Sequence, residues 1–346
     1  MTEPLVSRAE PLISVVDLRV EYRGTRSSRD ASGRRQPVRA VDGVSLDVHP
    51  GEVVALVGES GSGKTTVAHA LMRLVDPVGG RIVHRGRDIT TLAGAELRGL
   101  RRSFQLIFQD PYESLDPRQT VAEILTEPLL IHGVGGTSEE RARIVAASLA
   151  SVGLTPPEEF VARFPHQLSG GQRQRVSIAA AMVLQPELVV ADEPVSMLDV
   201  SVRAGILKLM LDLRRERDFA YLFITHDLSL AWVLADRIAV MYLGRVVEIG
   251  PSDAVIQRPH HPYTRALVSV IPIPDPKVRR EQVVLAGETP SPTAAPTGCR
   301  FHPRCPLRRQ LGDPEICERV DPTLEPLGGT HMAACHFRTE DDDAGS

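Results

Sequence analysis

The amino-acid sequence predicts an α/β fold in which a mostly parallel sheet is joined by an antiparallel β layer and a helical region. One observation is the continuous apolar run Val53–Val57, which is typical of a strand buried on both faces and leads into a glycine-rich turn. Another is the order of elements after residue 188, where apolar runs at 188–191 and 221–225 flank a helical stretch near 202–214. This alternation favours βαβ units on a parallel sheet.

The residues before the buried strand predict the antiparallel layer. Residues 13–20 alternate apolar and polar side chains, and Val44, Leu46 and Val48 alternate again, so both stretches are typical of half-buried strands. Residues 23–39 are rich in arginine, serine and glycine. They predict a basic loop inserted into the layer.

Changes in composition predict the domain boundaries. The pattern from about 100 to 183 is mostly helical, and beyond residue 270 Pro272, Pro274 and Pro276 would be improbable inside a helix. The acidic run 340–343 is typical of a solvated end. The sequence therefore predicts a lead at 1–12, a main domain at 13–270 with a helical subdomain at about 101–183, a cysteine-containing extension at 271–337 and an acidic tail at 338–346.

The composition is that of an ordinary soluble protein. Of the 346 residues, 42% are hydrophobic and 24% charged, and the net charge of −4 gives no sign of a nucleic-acid-binding protein. No apolar run approaches the roughly 18 residues of a membrane helix, and the N-terminus has no apolar signal segment. We therefore expect a cytosolic chain whose role at a membrane, if it has one, depends on a partner.

The residues after the buried strand match the phosphate-binding loop pattern. They are Gly58, Glu59, Ser60, Gly61, Ser62, Gly63, Lys64 and Thr65. Glycines let successive backbone N–H groups point inward at an anion, and the following helix N-terminus adds a favourable dipole. Lys64 can reach the β- and γ-phosphates, and Thr65 can hold Mg²⁺. A glycine-rich turn that binds nothing is the alternative, but lysine and threonine in register favour a nucleotide site.

Two carboxylates follow the apolar run at 188–191. Asp192 is suited to holding Mg²⁺ through water, and Glu193 is placed to polarise an attacking water. Alone, the pair could equally be solvated acids after a strand. Beside a phosphate-binding loop, it indicates hydrolysis.

A second glycine pair opens the helical stretch that follows Leu168. Ser169 could simply cap this helix. However, Ser169, Gly170 and Gly171 would also present N–H groups at a helix N-terminus, which is a second place for a phosphate. One compact domain cannot easily use two such sites on one nucleotide, so this pattern predicts a site shared between subunits.

All four cysteines lie in the last fifth of the chain. Cys299, Cys305, Cys317 and Cys335 form the pattern C-x5-C-x11-C-x17-C. In a reducing cytosol, such a set is suited to zinc or an iron–sulfur cluster better than to disulfides, and unligated thiols are the remaining alternative. The lack of a C-x2-C pair weakens the zinc interpretation. The nearby His302, His331 and His336 could replace a ligand or could be ordinary surface histidines.

Taken together, residues 13–267 resemble the nucleotide-binding subunit of an ABC transporter. The resemblance identifies residues 58–66, which include Thr66, as Walker A, 188–192 as Walker B, and 168–172 with its intact LSGGQ, ending at Gln172, as the signature motif. It implies an ABC ATPase core. Four further roles follow by position: Gln109 in the Q-loop, where its amide can meet Mg²⁺ or the attacking water, Asp199 closing the D-loop, His226 as the switch histidine and Tyr22 stacking on adenine.

A narrower resemblance points to the oligopeptide/dipeptide importer subfamily. It is carried by residues 108–111, by the HPYTRAL stretch 261–267 and by the four-cysteine segment, while 112–117 look closer to the F-type than to the D-type subunit. Nickel and glutathione systems share these marks. The resemblance implies a [4Fe–4S] cluster at the cysteines.

These features predict an ATP- and Mg²⁺-dependent ATPase subunit that powers solute import. The resemblance implies a second ATPase subunit, identical or homologous, so that each ATP lies between one chain's Walker A loop and the other's signature motif. It also implies two transmembrane permease subunits, an extracytoplasmic solute-binding protein and a peripheral location on the cytoplasmic face of the membrane.

A soluble ABC ATPase acting on nucleic acid or the ribosome is the rival, but the chain has one Walker A loop and no sustained heptads. An exporter subunit is disfavoured by the cysteine segment. We also expect that segment to be structural and to leave nucleotide binding nearly unaffected.

Overall fold

The computed structural model of the chain describes residues 10–24, 37–271, 282–291, 293 and 295–338. Most of the predicted lead, loop residues 25–36, the prolines at 272, 274 and 276, and the acidic run 340–343 lie outside these residues. The chain divides into two compact units. The first comprises residues 1–48, 53–90 and 224–346, and the second comprises residues 49–52 and 91–223.

The strands and helices are numbered in chain order. The strands are β1 (Ile13–Tyr22), β2 (Val38–Val48), β3 (Val53–Val57), β4 (Gly79–His84), β5 (Arg87–Asp88), β6 (Phe104–Ile107), β7 (Leu188–Asp192), β8 (Ala220–Thr225), β9 (Arg237–Tyr242), β10 (Arg245–Pro251), β11 (Glu325–Gly328) and β12 (His331–Ala333). The helices are α1 (Lys64–Leu71), α2 (Gly94–Ser103), α3 (Pro111–Ser114), α4 (Val121–Ile131), α5 (Ser138–Ser151), α6 (Glu158–Val161), α7 (Gly170–Met182), α8 (Val200–Arg217), α9 (Leu228–Leu234), α10 (Ser252–Gln257), α11 (Pro262–Ser269), α12 (Pro306–Gln310) and α13 (Ile316–Arg319). None of these helices is both long enough and apolar enough to cross a membrane.

The antiparallel layer predicted from the N-terminal alternation is present in the first unit. Its strands lie in the order β2-β1-β4-β5, and β1 pairs antiparallel with both β2 and β4. The alternating apolar side chains of β1 and β2, such as Leu18 and Val44, are fully buried. Period-two alternation therefore identified the face that packs against the core.

A second group of strands in the first unit carries the phosphate-binding loop. Strand β3 is buried at every residue and pairs parallel with β9, and β9 pairs antiparallel with β10. Beyond β10 the sheet continues with β12 and β11, which come from the cysteine-containing segment. This segment therefore adds two strands to the sheet that carries the phosphate-binding loop.

The second unit contains the predicted helical region. Strands β6 and β7 pair in parallel, with Ile107 opposite Ala191, and both end on the same side. Helices α3 to α7 follow β6, and α8 and β8 follow β7, as the alternation after residue 188 predicted. Strand β6 lies inside the stretch predicted to be mostly helical. Four residues are too short a run for periodicity to separate a strand from a buried helix turn.

Candidate functional site

The phosphate-binding loop joins β3 to α1, the context that its motif requires. Backbone atoms lie so close to Gly58 and Gly63 that a Cβ at either residue would come within 2.2 Å of a carbonyl oxygen, that of Met241 or of Ala40. Gly63 also has φ +103°, a left-handed conformation that L-residues with side chains rarely adopt. Both positions therefore need glycine, which an ordinary exposed turn would not require.

The polar side chains of this loop differ in their surroundings. The Nζ of Lys64 donates to the carbonyl oxygens of Gly58 and Glu59, at 2.8 and 3.0 Å, so the ammonium group lies across the loop. The hydroxyl of Ser62 is buried and has no hydrogen-bond partner among the described residues. Thr65 is exposed in the first turn of α1. Buried polar groups are normally satisfied, so the Ser62 hydroxyl fits an oxygen-rich ligand such as a polyphosphate. The exposed Thr65 hydroxyl is accessible to Mg²⁺.

The two carboxylates after β7 lie where the sequence predicted them, in the second unit. Asp192 is the last residue of β7 and is buried. Glu193 follows in a left-handed conformation with φ +44°, which is unusual for a residue with a long side chain. Its carboxylate accepts a hydrogen bond of 3.2 Å from the amide of Gln109, which follows the neighbouring strand β6. The structure thus brings together Glu193 and Gln109.

The LSGGQ stretch forms the N-terminus of α7, also in the second unit. Ser169 is the N-cap, its hydroxyl accepts the N–H of Gln172, and the Gln172 side chain accepts the N–H of Ser169 in return. A Cβ at Gly171 would come within 2.7 Å of Val202, whereas a Cβ at Gly170 would meet nothing closer than 3.9 Å. Gly171 is therefore needed for packing, while Gly170 leaves space in front of the helix.

The remaining predicted residues occupy the ends of secondary structure elements. Asp199 is the N-cap of α8 and is exposed. His226 is exposed between β8 and α9. Tyr22 ends β1 and is 39% exposed, so its ring is accessible. Their exposure is compatible with contacts to a nucleotide or a second subunit.

A cluster around Glu59, all within the first unit, is one that no pattern in the sequence predicted. The Glu59 carboxylate pairs with the Nη1 of Arg304 at 3.0 Å and accepts the Thr289 hydroxyl at 2.6 Å. The Glu59 backbone N–H donates to the hydroxyl of Tyr263 at 3.0 Å. Nη1 of Arg304 also lies 3.0 Å from the Thr289 hydroxyl and 3.5 Å from that of Tyr242. One residue of the phosphate-binding loop is thus also held from outside the loop, by partners that all lie in the last third of the chain.

A second buried cluster surrounds Glu248 on β10. Its carboxylate accepts the backbone N–H groups of His260 and His261, both at 2.9 Å, and lies 2.8 Å from Nε2 of His331 on β12. Burial alone would raise the pKa of Glu248, but the hydrogen bond from His331 and those from the backbone outweigh it and hold the pKa below its usual value. This cluster ties β12 to the start of α11.

The four cysteines converge on one small cavity of about 20 Å³ in the first unit. That volume is about what one water molecule needs. Burial raises the pKa of all four thiols, to about 12 for Cys299 and about 11 for Cys335. Burial thus favours the neutral thiol over the thiolate at all four residues. Four thiols are a suitable donor set for a metal, but no group of three or more ligands among the described residues is arranged to hold one.

Of the three nearby histidines, one lies against a buried carboxylate and two lie against backbone carbonyl oxygens. His331 is buried against Glu248, so the expectation that it lies on the surface is wrong. The reason is that a buried carboxylate needs hydrogen-bond donors, and the His331 ring is close enough to be one of them. Nδ1 of His302 lies 3.0 Å from the carbonyl oxygen of Cys299, and Nε2 of His336 lies 2.9 Å from that of Val320.

Two family models match the chain, and known proteins resemble it over most of its length. Residues 41–196 match the family described as ABC transporter, and residues 247–311 match the family described as oligopeptide/dipeptide transporter, C-terminal region. A probable peptide ABC transporter ATP-binding protein, y4tS of Sinorhizobium fredii, is 48% identical over 302 residues, 87% of this chain and 83% of that protein. A putative oligopeptide transport ATP-binding protein, YkfD of Bacillus subtilis, is 45% identical over 95% of this chain and 96% of its own length.

Solved structures match the same core. A dimeric ATP-binding cassette in a post-hydrolysis state, bound to ADP and Pi, has a TM-score of 0.61 and 28% identity, and the match covers 69% of this chain and 98% of that one. The protein cbiO1 of Clostridium perfringens, described as part of the ABC transporter complex cbiONQ, also has a TM-score of 0.61 and 26% identity, and the match covers 72% of this chain and 92% of that one. The matched cassettes are thus nearly complete, while about a third of this chain lies beyond the match.

Proposed function

The chain belongs to the ATP-binding subunits of ABC transporters, and from that premise we propose that it hydrolyses ATP to power the import of oligopeptides or dipeptides. The observation that carries the peptide assignment is the segment 247–311, which matches the oligopeptide/dipeptide transporter C-terminal region. The relatives at 45–48% identity support it, because their similarity extends over most of the chain and their names refer to peptide or oligopeptide transport. Nickel and glutathione remain cargo alternatives that a transport assay separates.

We assign nucleotide binding to the loop between β3 and α1. Its backbone N–H groups would hold the phosphates, with Lys64 as the cation nearest the β- and γ-phosphates and Thr65 and Asp192 as the Mg²⁺-holding residues. The glycines required at 58 and 63 support this assignment, because a side chain at either position would close the cradle. Tyr22 is the candidate for stacking on adenine.

Hydrolysis is assigned to the residues that follow β6, β7 and β8. Glu193 would polarise the attacking water, and its hydrogen bond with Gln109 supports a role for that amide in orienting the carboxylate or the water. His226 would hold the γ-phosphate side of the site. Bound Mg²⁺ supplies neutralisation of the phosphate charge.

The signature residues are proposed to act on a second subunit's nucleotide. Ser169 and Gly170 lie at the open N-terminus of a 13-residue helix, where backbone N–H groups and the helix dipole favour an anion. Two chains would then enclose two ATP molecules, and Asp199 would lie near the junction. The subunit would act on the cytoplasmic face of the membrane with two permease subunits and an extracytoplasmic solute-binding protein.

The four cysteines are proposed to hold a structural metal centre, a [4Fe–4S] cluster or alternatively zinc. Their convergence on one cavity supports the proposal. Cys299, Cys305, Cys317 and Cys335 would be the ligands, and a bound cation would bring their pKa values down, since thiols that ligate a metal ionise. The centre would supply a cross-link for a segment with little apolar core of its own.

Reconstitution tests the proposed function. The chain is purified with the permease subunits that accompany it, placed in vesicles and assayed for ATP-driven uptake of labelled di- and oligopeptides, with nickel and glutathione as competing cargo. Peptide uptake that requires ATP and disappears with Lys64→Ala is the expected result. Uptake of nickel or glutathione but not of peptide would overturn the peptide assignment, and no ATP hydrolysis in any assembly would overturn the function itself.

A further inference from the structure

Glu59 makes side-chain and backbone contacts that the nucleotide site alone does not explain. It is the second residue of the phosphate-binding loop, and its carboxylate is a negative charge placed in a loop that is proposed to receive the negative charges of a triphosphate. Like charges in one site repel, and a cleft with low-dielectric walls strengthens the repulsion. A carboxylate here therefore weakens ATP binding unless a cation neutralises it.

Arg304 supplies that cation. Its guanidinium meets the Glu59 carboxylate at 3.0 Å, and its side chain is only 10% exposed, while that of Glu59 is 28% exposed. Thr289 joins the pair by donating its hydroxyl to the same carboxylate at 2.6 Å. Charge-assisted hydrogen bonds of this kind hold a side chain in one orientation, and partial burial reduces their screening by salt.

The backbone of Glu59 is held from the same side. Its N–H donates to the hydroxyl of Tyr263, a residue of α11 with no exposed surface. The Tyr263 ring packs against the rings of Tyr242 and Phe301, with centroids 4.7 and 5.4 Å away. Phe301 lies three residues before Arg304, so one packed cluster fixes both the partner of the Glu59 backbone and the partner of its carboxylate.

The three partners that Glu59 has outside its own loop share an origin. Tyr263, Thr289 and Arg304 all lie within residues 247–311, the segment that matches the oligopeptide/dipeptide transporter C-terminal region. The match with the dimeric cassette already covers 98% of that protein and 69% of this chain. The contacts with Glu59 thus come from the peptide-transporter segment of the chain.

We propose that Arg304 is a positioning residue for ATP binding: it neutralises Glu59 and fixes the phosphate-binding loop, so the peptide-transporter segment sets the ATP affinity of the site. This inference rests on the proposed nucleotide site. Its electrostatic part makes a specific demand. Loss of Arg304 harms ATP binding through the charge left on Glu59, so removal of that charge restores binding.

The test measures equilibrium binding of MgATP to the purified full-length chain. Arg304→Gln is expected to weaken binding roughly tenfold, because it removes a charge-assisted hydrogen bond and leaves a carboxylate uncompensated. Arg304→Lys keeps the charge without the guanidinium fork and is expected to lose less. The double variant Glu59→Gln with Arg304→Gln replaces the ion pair by two neutral amides and is expected to bind within about twofold of wild type.

Arg319→Gln is the matched control. Arg319 lies further along the cysteine-containing extension and pairs with Glu315, and both side chains are 73% exposed. Its binding is expected to equal that of wild type. Circular dichroism of each variant checks folding, and if Arg304→Gln alone does not fold, Arg304→Met with and without Glu59→Gln repeats the comparison with an apolar side chain at the same position.

The outcomes are distinguishable. Wild-type affinity in Arg304→Gln overturns the proposal. A double variant as weak as Arg304→Gln also overturns it, because a purely structural role of Arg304 is not rescued by a change in charge at Glu59. Failure of wild-type chain to bind MgATP, or binding that survives Lys64→Ala, contradicts the nucleotide site itself and not this inference.

Discussion

The amide of Gln109 donates a hydrogen bond to the carboxylate of Glu193, with 3.2 Å between Nε2 and Oε2. Two parallel neighbouring strands, β6 and β7, end on the same side and deliver the two residues to each other. The left-handed backbone at Glu193 costs about 1–3 kcal/mol and persists only where the surrounding structure enforces it. The geometry therefore singles out Glu193 as the carboxylate to test first.

Glu193→Gln is expected to keep ATP binding and to lose nearly all hydrolysis. The amide has the same shape but cannot take a proton from water, and general-base catalysis contributes about 10²–10⁴-fold. Because closure would no longer be followed by hydrolysis, a dimer is expected to accumulate with ATP. Steady-state phosphate release and size-exclusion chromatography with ATP measure both effects. Wild-type turnover, or a chain that stays monomeric with ATP, would contradict the role of Glu193.

Lys64→Ala is expected to abolish hydrolysis and to weaken ATP binding. The ammonium group lies across the loop from the carbonyl oxygens of Gly58 and Glu59, so alanine removes the only cation that the loop itself carries. Electrostatic stabilisation of developing phosphate charge is usually the largest single contribution to such a reaction. Phosphate release and MgATP binding are measured side by side. Near-normal turnover would show that this loop is not needed for hydrolysis.

Gly170→Asp tests whether the signature residues act on another subunit's nucleotide. The variant should fold, because a Cβ at 170 meets nothing closer than 3.9 Å and an aspartate in the first turn of a helix is favourable. It is nevertheless expected to block hydrolysis, since it places a negative charge where a phosphate would approach. Gly170→Asn, of the same size and neutral, is the control and is expected to lose less.

Mixing Gly170→Asp with Lys64→Ala should restore part of the activity. In a mixed homodimer one site receives both defects and the other receives neither, so about one working site per mixed dimer is expected. Phosphate release by the mixture is compared with that of each variant alone. No recovery would mean that the two elements serve one nucleotide within a chain, or that the working dimer contains a different second subunit.

The loop at 58–65 and the LSGGQ helix were predictable from sequence because each is local. A strand, a glycine-rich turn and a helix start follow one another in the chain. Glycine marks the positions where a side chain does not fit, although the atoms that exclude one at Gly58 and Gly171 belong to Met241 and Val202, which are distant in the sequence. The pairing of Glu193 with Gln109 was predictable only in outline, since two residues 84 apart meet through strand pairing that periodicity does not specify.

The contacts of Glu59, by contrast, could not be read from the sequence. Arg304 is 245 residues away, and an arginine beside a cysteine has no pattern that marks a partner in the phosphate-binding loop. The same holds for Glu248, whose apolar neighbours predict a strand but not a buried carboxylate that His331 satisfies. Long-range polar pairing depends on the packed fold, and propensity and periodicity carry no information about it.

Glu248→Gln is expected to destabilise the first unit by about 2–4 kcal/mol at neutral pH, because a neutral amide cannot accept hydrogen bonds at both of its ends. The folded pKa of Glu248 lies below the usual 4.5, so its contribution to stability is present above pH 4.5 and is lost as the pH falls through the folded value. The difference between wild type and variant should therefore shrink below pH 4.5.

Chemical denaturation followed by the fluorescence of Trp232, the single tryptophan, measures this difference at pH 7 and at several acidic values. Glu315→Gln, at a carboxylate that is 73% exposed, is the control and should change stability little at any pH. A deficit for Glu248→Gln that stays constant down to strongly acidic pH would show that the charge of Glu248 is not what stabilises the cluster.

The contact between Arg304 and Glu59 changes what is expected of the cysteine segment. Sequence alone predicted a structural segment whose state leaves nucleotide binding nearly unaffected. Cys305 directly follows Arg304, and the carbonyl oxygen of Cys317 accepts the N–H of Cys299. Disorder at the cysteines would therefore disturb the position of Arg304, which pairs with Glu59 of the phosphate-binding loop. We now expect ATP affinity to respond to them.

Cys317→Ser is expected to loosen residues 295–338 and to weaken MgATP binding, by no more than the roughly tenfold expected for Arg304→Gln. The reason is that a buried thiol becomes a hydroxyl without a partner, and a metal ligand is lost if a centre is present. Limited proteolysis and MgATP binding are measured on wild type and variant after anaerobic purification, with iron, sulfide and zinc analysis of each. About four irons per chain would support the cluster, and one zinc the alternative. Arg319→Gln again serves as the control. A segment protected equally in both chains, with unchanged ATP affinity and neither metal present, would leave the cysteines as ordinary buried thiols with no connection to the nucleotide site.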